Sequence, residues 1–277
     1  MTYRDAVEYI KGTLKRIGIA NGEARAEAGF IIKHVCGKSL GYTAANGNEA
    51  IGTEAEAEIL GILDRRIKHE PLQHILGSSG FANITVKCDS RALIPRHDTE
   101  TLYNCVIDNI EHGKNPKVLD LCTGSGCLAL AVKSSVECEM YASDISAEAL
   151  ALAAENAELL GLEIKLIQSD LFEGIAGKFD IICSNPPYIP AGDIDKLADE
   201  VKCYEPRLAL DGGDDGLDFY RKIAKDAPEH LKDGGLVALE IGFDQAAGVT
   251  DIFKSYDVQV IKDYSGNDRV ILARLRR

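Results

Sequence analysis

At 277 residues, with 45% hydrophobic and 27% charged residues, the chain is long enough for one large globular domain or two modest ones. No apolar run approaches the ~20 residues that span a bilayer, and the N-terminal "MTYRDAVEYIKGTLKRIG" has no signal-peptide apolar stretch, so a cytoplasmic location is expected. Net charge is −13. Residues 1–85 hold ten Lys/Arg against ten Asp/Glu, so the whole acidic excess lies in residues 86–277, which argues against nucleic acid as a partner. Eight cysteines (36, 88, 105, 122, 127, 138, 183, 203) form no C-x-x-C pair and no His/Cys metal spacing. They read as buried thiols of a reducing compartment, and no metal is expected.

Residues 1–71 read as a helical domain. "YRDAVEYIKGTLKRIG" sets Val7, Ile10, Leu14 and Ile17 at helical spacing, and "EARAEAGFIIKHVCG" follows and stops at Gly37. "GTEAEAEILGILDRRIKHE" has Thr53 as N-cap and ends before Pro71. With no β-type alternation between them, these segments predict a small helical bundle. Residues 72–97 change period, with a Gly-Ser turn between short β-like runs, and read as a β-hairpin linker. Residues 98–277 alternate strand and helix, with apolar runs at "KVLDLC", "EMYASD", "EIKLIQSD", "FDIICSN" and "GLVALEI". "SAEALALAAENAELLG" is a helix with Ser146 as N-cap and Gly161 as stop. "VQVIKDY", a "SGND" turn and "RVILARL" close the chain as a hairpin. The predicted fold is α/β: a doubly wound, mostly parallel seven-stranded sheet ending in an antiparallel hairpin, preceded by the helical domain and linker.

Four constellations sit at successive strand ends. In "VLDLCTGSGCLALA" a strand ends at Asp120, turns through Cys122, Thr123, Gly124, Ser125 and Gly126, and opens a helix. Gly124, Gly126 and Ala129 satisfy G-x-G-x-x-A, a pattern that serves a dinucleotide or simply a tight strand-to-helix turn. Asp144, closing "YASD", either accepts both hydroxyls of an adenosine ribose or supplies a charge to the following helix N-terminus. Asp170, in "QSDLF", either bonds an adenine amino group or caps a turn. Asp120 is either the partner of an ammonium or a buried, hydrogen-bonded strand-end acid.

The fourth constellation is "SNPPYIP", residues 184–190. Two prolines fix their own φ and extend the residue before them, so Asn185-Pro186-Pro187-Tyr188 is a stiff loop; Pro-Pro alone also reads as a strand-terminating turn. A NAD enzyme uses the first two signals but has no need of this loop, whereas an S-adenosylmethionine enzyme uses all four. An amide or aromatic NH2 is a poor nucleophile because its lone pair is delocalised. The Asn185 side-chain oxygen and the Pro186 carbonyl can accept both its N–H groups and turn the lone pair outward. Pro186 and Pro187 hold those oxygens still, and Tyr188 offers a flat face to a planar group.

"DLCTGSG", "SDIS", "SDLF" and "SNPPYIP", in that order, resemble class I methyltransferases of the Asn-Pro-Pro-Tyr type, which include adenine-N6 DNA and guanine-N2 RNA enzymes. "EPLQHILG", "FANITVKCDSRALIPRHDTETL" and "YEPRLALDGGDDGLDFYRKI" further resemble the peptide chain release factor glutamine methyltransferases, the PrmC/HemK family, over the whole chain. The resemblance implies methyl transfer from S-adenosylmethionine to the glutamine side-chain nitrogen in the Gly-Gly-Gln loop of class 1 release factors. It implies a substrate-recognising helical domain and a cofactor site at Cys122–Gly126, Asp144 and Asn185; the residue readings add Asp120 and Asp170, with Leu171 next to the latter. Residues 185–188 grip the glutamine, and Pro95-Arg96 and Thr99-Glu100 lie near the cofactor. An amino methyltransferase acting on nucleic acid is the alternative, and the charge distribution speaks against it. Three positions depart from the family pattern: Cys122 stands where glycine is frequent, His97 where proline is usual, and Leu171 where some members carry an aromatic.

Overall fold

The helical spacing of the first segment becomes α1 (Tyr3–Arg16) in the computed structural model, which describes residues 1–111 and 113–276. Thr2 and Asp5 form a capping box at its start, each side chain bonding the other's backbone N–H. Then come α2 (Asn21–Cys36), closed by Gly37 at φ +66°, α3 (Leu40–Ala45), α4 (Thr53–Arg66) and α5 (Leu72–Leu76). Thr53 is the first residue of α4 rather than its cap; Gly52 holds the cap position without a side-chain bond. Ile10, Leu14, Ile31, Ile32 and Ile59 are fully buried in one core, each such side chain contributing about 1.5–3 kcal/mol. Residues 199–204, which include the short α9 (Asp199–Lys202), group with this helical unit of residues 1–77.

The second unit, residues 78–198 and 205–277, opens with an antiparallel hairpin of β1 (Ser78–Phe81) and β2 (Ile84–Lys87). Its turn lies at Ala82-Asn83, with Ala82 at φ +47°, and not at Gly77-Ser78. Gly77, at φ +72°, is spent ending α5, which takes the first residues of the segment expected to be linker. The remaining elements are α6 (Thr99–Asp108), β3 (Lys117–Leu121), α7 (Cys127–Ser135), β4 (Glu139–Asp144), α8 (Ala147–Leu160), β5 (Lys165–Gln168) and β6 (Phe179–Ser184). They continue with α10 (Asp218–His230), β7 (Leu231–Glu240), α11 (Ala246–Ile252), β8 (Tyr256–Lys262) and β9 (Asp268–Leu275).

The seven long-sheet strands run in the order β5-β4-β3-β6-β7-β9-β8, all parallel except β9, which is antiparallel to both neighbours. This is the doubly wound sheet with antiparallel closure expected above. Alternate residues of β3 feed different cores: Leu119 and Leu121 pack with Tyr220, Ile223 and Phe253, and Val118 packs with Leu102, Leu128 and Val132. The chain turns to β4 on one side of β3 and to β6 on the other. Such a reversal opens a crevice at the carboxyl ends of the strands. Among the described residues no helix is long and apolar enough to cross a membrane.

Candidate active site

β3 delivers Asp120 to the sheet edge, and the chain must turn at once to begin α7. Thr123 N–H donates to Ser143 O and Gly126 N–H to Thr123 O, both at 2.9 Å. Gly124 at φ +54° and Gly126 at φ +79° take the left-handed backbone this requires, and so does Cys122 at φ +56°. A residue with a Cβ costs about 1–2 kcal/mol there, so the departure at Cys122 carries a real backbone cost. Leu171 adopts φ +47° as well, which nothing in its residue type foretells. A Cβ on Gly126 would lie 3.1 Å from Ala153 Cβ, so this glycine serves the packing of α7 on α8. Asp120 is 1% exposed and accepts from the Thr123 hydroxyl at 2.6 Å. Burial pushes its pKa up to about 7, against the pull of the Thr123 bond.

Asp144 closes β4 with each carboxylate oxygen engaged: Oδ2 accepts from Gly124 N–H and Oδ1 from Ser146 N–H, both at 2.9 Å. Burial raises its pKa while these bonds lower it. Ser146 caps α8 by accepting from Ala149 N–H, and Gly161 ends that helix at φ +64°. After β5, the Ser169 hydroxyl donates to Leu171 O and accepts from Gly174 N–H, both at 2.8 Å, which shapes the turn bearing Asp170.

β6 ends at Ser184, whose hydroxyl donates to Leu121 O at 2.7 Å. In the next residue Asn185 Nδ2 donates to Thr99 Oγ1 at 3.1 Å, which turns the Oδ1 atom the other way. Pro186 and Pro187 are buried. The loop is braced from behind: Ile189 N–H donates to Leu210 O, Gly212 N–H to Ile189 O, and Gln245 Nε2 to Tyr188 O at 2.9 Å. A Cβ on Gly212 would lie 2.8 Å from Tyr188 Cα, so "DGGDDG" is glycine-rich where another backbone approaches. Burial pushes the Tyr188 phenol up to about 12 and keeps it neutral.

Asp120, Cys122, Thr123, Gly124, Ser125, Asp144, Asp170, Leu171, Asn185 and Pro187 line one cleft. Gly126, Pro186 and Tyr188 do not line it. His97 is 93% exposed and pairs with Glu100 at 3.1 Å. Sequence reasoning missed three contributors. Residues 91–94 and Phe219 line the cleft, the first signalled only by an apolar run in an otherwise polar linker. Asn156, fully buried on α8, donates to Ser125 O and Lys87 O and accepts from Lys87 N–H, tying β2 to the glycine turn. Its signal was a lone amide in an alanine-leucine stripe.

Three carboxyl groups, of Asp120, Asp144 and Asp170, face the cleft, while its two arginines are engaged elsewhere. Arg91 is held by Asp89 and Glu155, and Arg96 by Glu205. This charge balance suits a cation with an apolar body and repels a pyrophosphate, for which the Gly124 N–H is already taken by Asp144. Ser125 Oγ is a buried cleft atom without a hydrogen-bond partner among the described residues, a polar group left over for a ligand. S-adenosylmethionine, a sulfonium with an ammonium and an adenosine, fits this donor set.

The PrmC N-terminal domain family matches residues 5–77 and the Methyltransferase small domain family residues 98–201. The release factor glutamine methyltransferase of Geobacter sulfurreducens is 38% identical, covering 99% of this chain and 97% of its own. That of Deinococcus radiodurans is 35% identical and covers 99% of both chains. Among solved structures, a methyltransferase from Pyrococcus furiosus shares the fold at TM-score 0.53 and 20% identity, covering 81% of this chain and 98% of that one.

Proposed function

The chain belongs to the release factor glutamine methyltransferase family, and we propose that it methylates the side-chain amide nitrogen of the glutamine in the Gly-Gly-Gln loop of a class 1 release factor. The observation that carries the reading is the Asn185 amide, tied through its nitrogen to Thr99 on a proline-stiffened loop beside an acid-lined cleft. S-adenosylmethionine, when bound, supplies the methyl group on a positively charged sulfur. Asn185 Oδ1 and the Pro186 carbonyl accept the two N–H groups of the acceptor amide and direct its lone pair toward the cleft. Because Pro186 and Pro187 hold both oxygens in advance, little ordering remains at the moment of reaction, and orientation of this kind lowers barriers by about 7–11 kcal/mol. Asp144 takes the ribose hydroxyls, Asp120 the ammonium, and Asp170 with Leu171 the adenine. No side chain has to remove a proton before transfer; the charged product loses it to water. Residues 1–71 recognise the substrate protein, and a cytoplasmic location goes with that substrate.

Methyl-labelled S-adenosylmethionine and a bacterial release factor test the reading directly. Label is expected on the wild-type factor and absent when its Gly-Gly-Gln glutamine is changed to alanine. Label on tRNA, rRNA or DNA instead overturns it. Asn185→Ala is expected to lower transfer by about 10²–10³-fold, as loss of a preorganised polar partner does, with the melting temperature unchanged; normal turnover in that variant removes the role given to the loop.

A further inference from the structure

Asn185 can present either its oxygen or its nitrogen to an acceptor amide, and only the oxygen helps. A flipped side chain would set two donors against a group that is itself a donor. The choice is made behind the loop, where Asn185 Nδ2 donates to Thr99 Oγ1 at 3.1 Å. A threonine hydroxyl has one proton, and it accepts reliably from Nδ2 only while that proton is engaged elsewhere. Burial pushes the carboxyl of Glu240, the last residue of β7, up to about 7, and the Thr99 hydroxyl, as a donor to its ionised form, pulls it back down. Thr99 is 3% exposed and Glu240 1%, so water does not compete for either end of this chain of bonds.

Glu240 is held in place by its surroundings. The Tyr220 hydroxyl donates to its backbone carbonyl at 2.9 Å. Arg269, which lies near, is shared with Asp263 at 3.1 Å, Asp98 at 3.0 Å and the Ile241 carbonyl at 3.3 Å. The other Glu240 oxygen, Oε2, has no hydrogen-bond partner among the described residues. A buried carboxylate so incompletely bonded is costly to the fold. In its ionised form Glu240 can only accept, and the relay through Thr99 then runs one way.

We propose that Thr99, oriented by Glu240, is a positioning residue that fixes the Asn185 amide with its oxygen toward the acceptor. The inference rests on the methyl-transfer reading above and adds the group that sets the direction of its key amide. Thr99→Val keeps the shape and removes the hydroxyl; Thr99→Ser keeps the hydroxyl. In the label-transfer assay Thr99→Val is expected to lower kcat about 100-fold, the effect of misplacing a reacting group by ~1 Å. The KM for the release factor and the calorimetric affinity for S-adenosylmethionine should change less than threefold. Thr99→Ser should stay within threefold of wild type in all three. Wild-type kcat in Thr99→Val, or an equal loss in Thr99→Ser, overturns the proposal.

A readout that needs no turnover separates its failure from failure of the function. The side-chain 15N–1H2 signals of Asn185, assigned by their loss in Asn185→Ala, should exchange slowly in wild type and Thr99→Ser and rapidly in Thr99→Val. Unchanged exchange in Thr99→Val overturns the relay whether or not the release factor is methylated.

Discussion

In the helical unit the Arg66 guanidinium, buried to 3% exposure, meets Glu27 at 2.9 and 3.0 Å and Glu200 at 3.0 Å. At the sheet edge Asp120 lies just as deep, yet its side-chain hydrogen bonds come from neutral groups, the Thr123 hydroxyl and the Cys183 thiol. Glu240, equally buried, lies near Arg269, which is shared with two aspartates, and its Oε2 has no hydrogen-bond partner among the described residues. A buried charge that is fully paired is a feature of the fold, whereas one left short of partners is a candidate for a functional role. The same polypeptide therefore gives the buried charge of its helical unit two anionic partners, and leaves buried carboxyls at the sheet edge with neutral hydrogen-bond donors or an unbonded oxygen among the described residues.

The largest effect that can test this contrast is in the helical unit. Arg66→Ala should destabilise the protein by about 3–5 kcal/mol, because two carboxylates are left without their cation; a loss below about 1 kcal/mol in urea unfolding would place Arg66 with ordinary surface pairs. Asp120→Asn should act in the opposite direction. A carboxyl whose pKa is higher folded than unfolded binds more protons in the folded state between the two values. Asp120 thus subtracts stability as pH rises from about 4 to about 7, and the full penalty holds above 7. Asparagine removes that penalty, so the variant should gain at most about 4 kcal/mol at pH 8 and nothing near pH 4, while binding S-adenosylmethionine more weakly. Loss of stability at pH 8 would make Asp120 a structural acid. Asp144→Ala should weaken cofactor affinity roughly tenfold, about 1.4 kcal/mol; an unchanged calorimetric affinity would remove the ribose from its role. The smallest change expected is in Cys122→Gly, which relieves the left-handed strain and should stabilise by about 1 kcal/mol in thermal melts.

What could be read in advance follows a physical division. The strand ends were legible because most of their signals are local: Gly124 and Gly126 turn their own backbone, Ser146 caps its own helix, and Pro186 and Pro187 stiffen their own loop. Asn156 and Glu240 were not legible as parts of the site, and Thr99 was legible only as a neighbour of the cofactor, not as the partner of Asn185. Their roles depend on partners far along the chain, 86 residues for Thr99 with Asn185 and 69 for Asn156 with Lys87. Only the folded sheet brings such partners together. The hairpin turn was misplaced for a different reason. Gly77 is an equally good residue for a turn and for ending a helix, and neighbouring α5 claimed it.

Strand β9 lies between β7 and β8 although it is synthesised after both. On a ribosome adding ~5–20 residues per second, β7 and β8 therefore emerge seconds before the strand that joins them. During that interval β7, whose residues 236–240 end fully buried, presents an open edge of the kind that recruits other chains into aggregates. A nascent chain released before residues 268–275 are made would keep that edge, and its fate would be chaperone capture or degradation rather than a working enzyme.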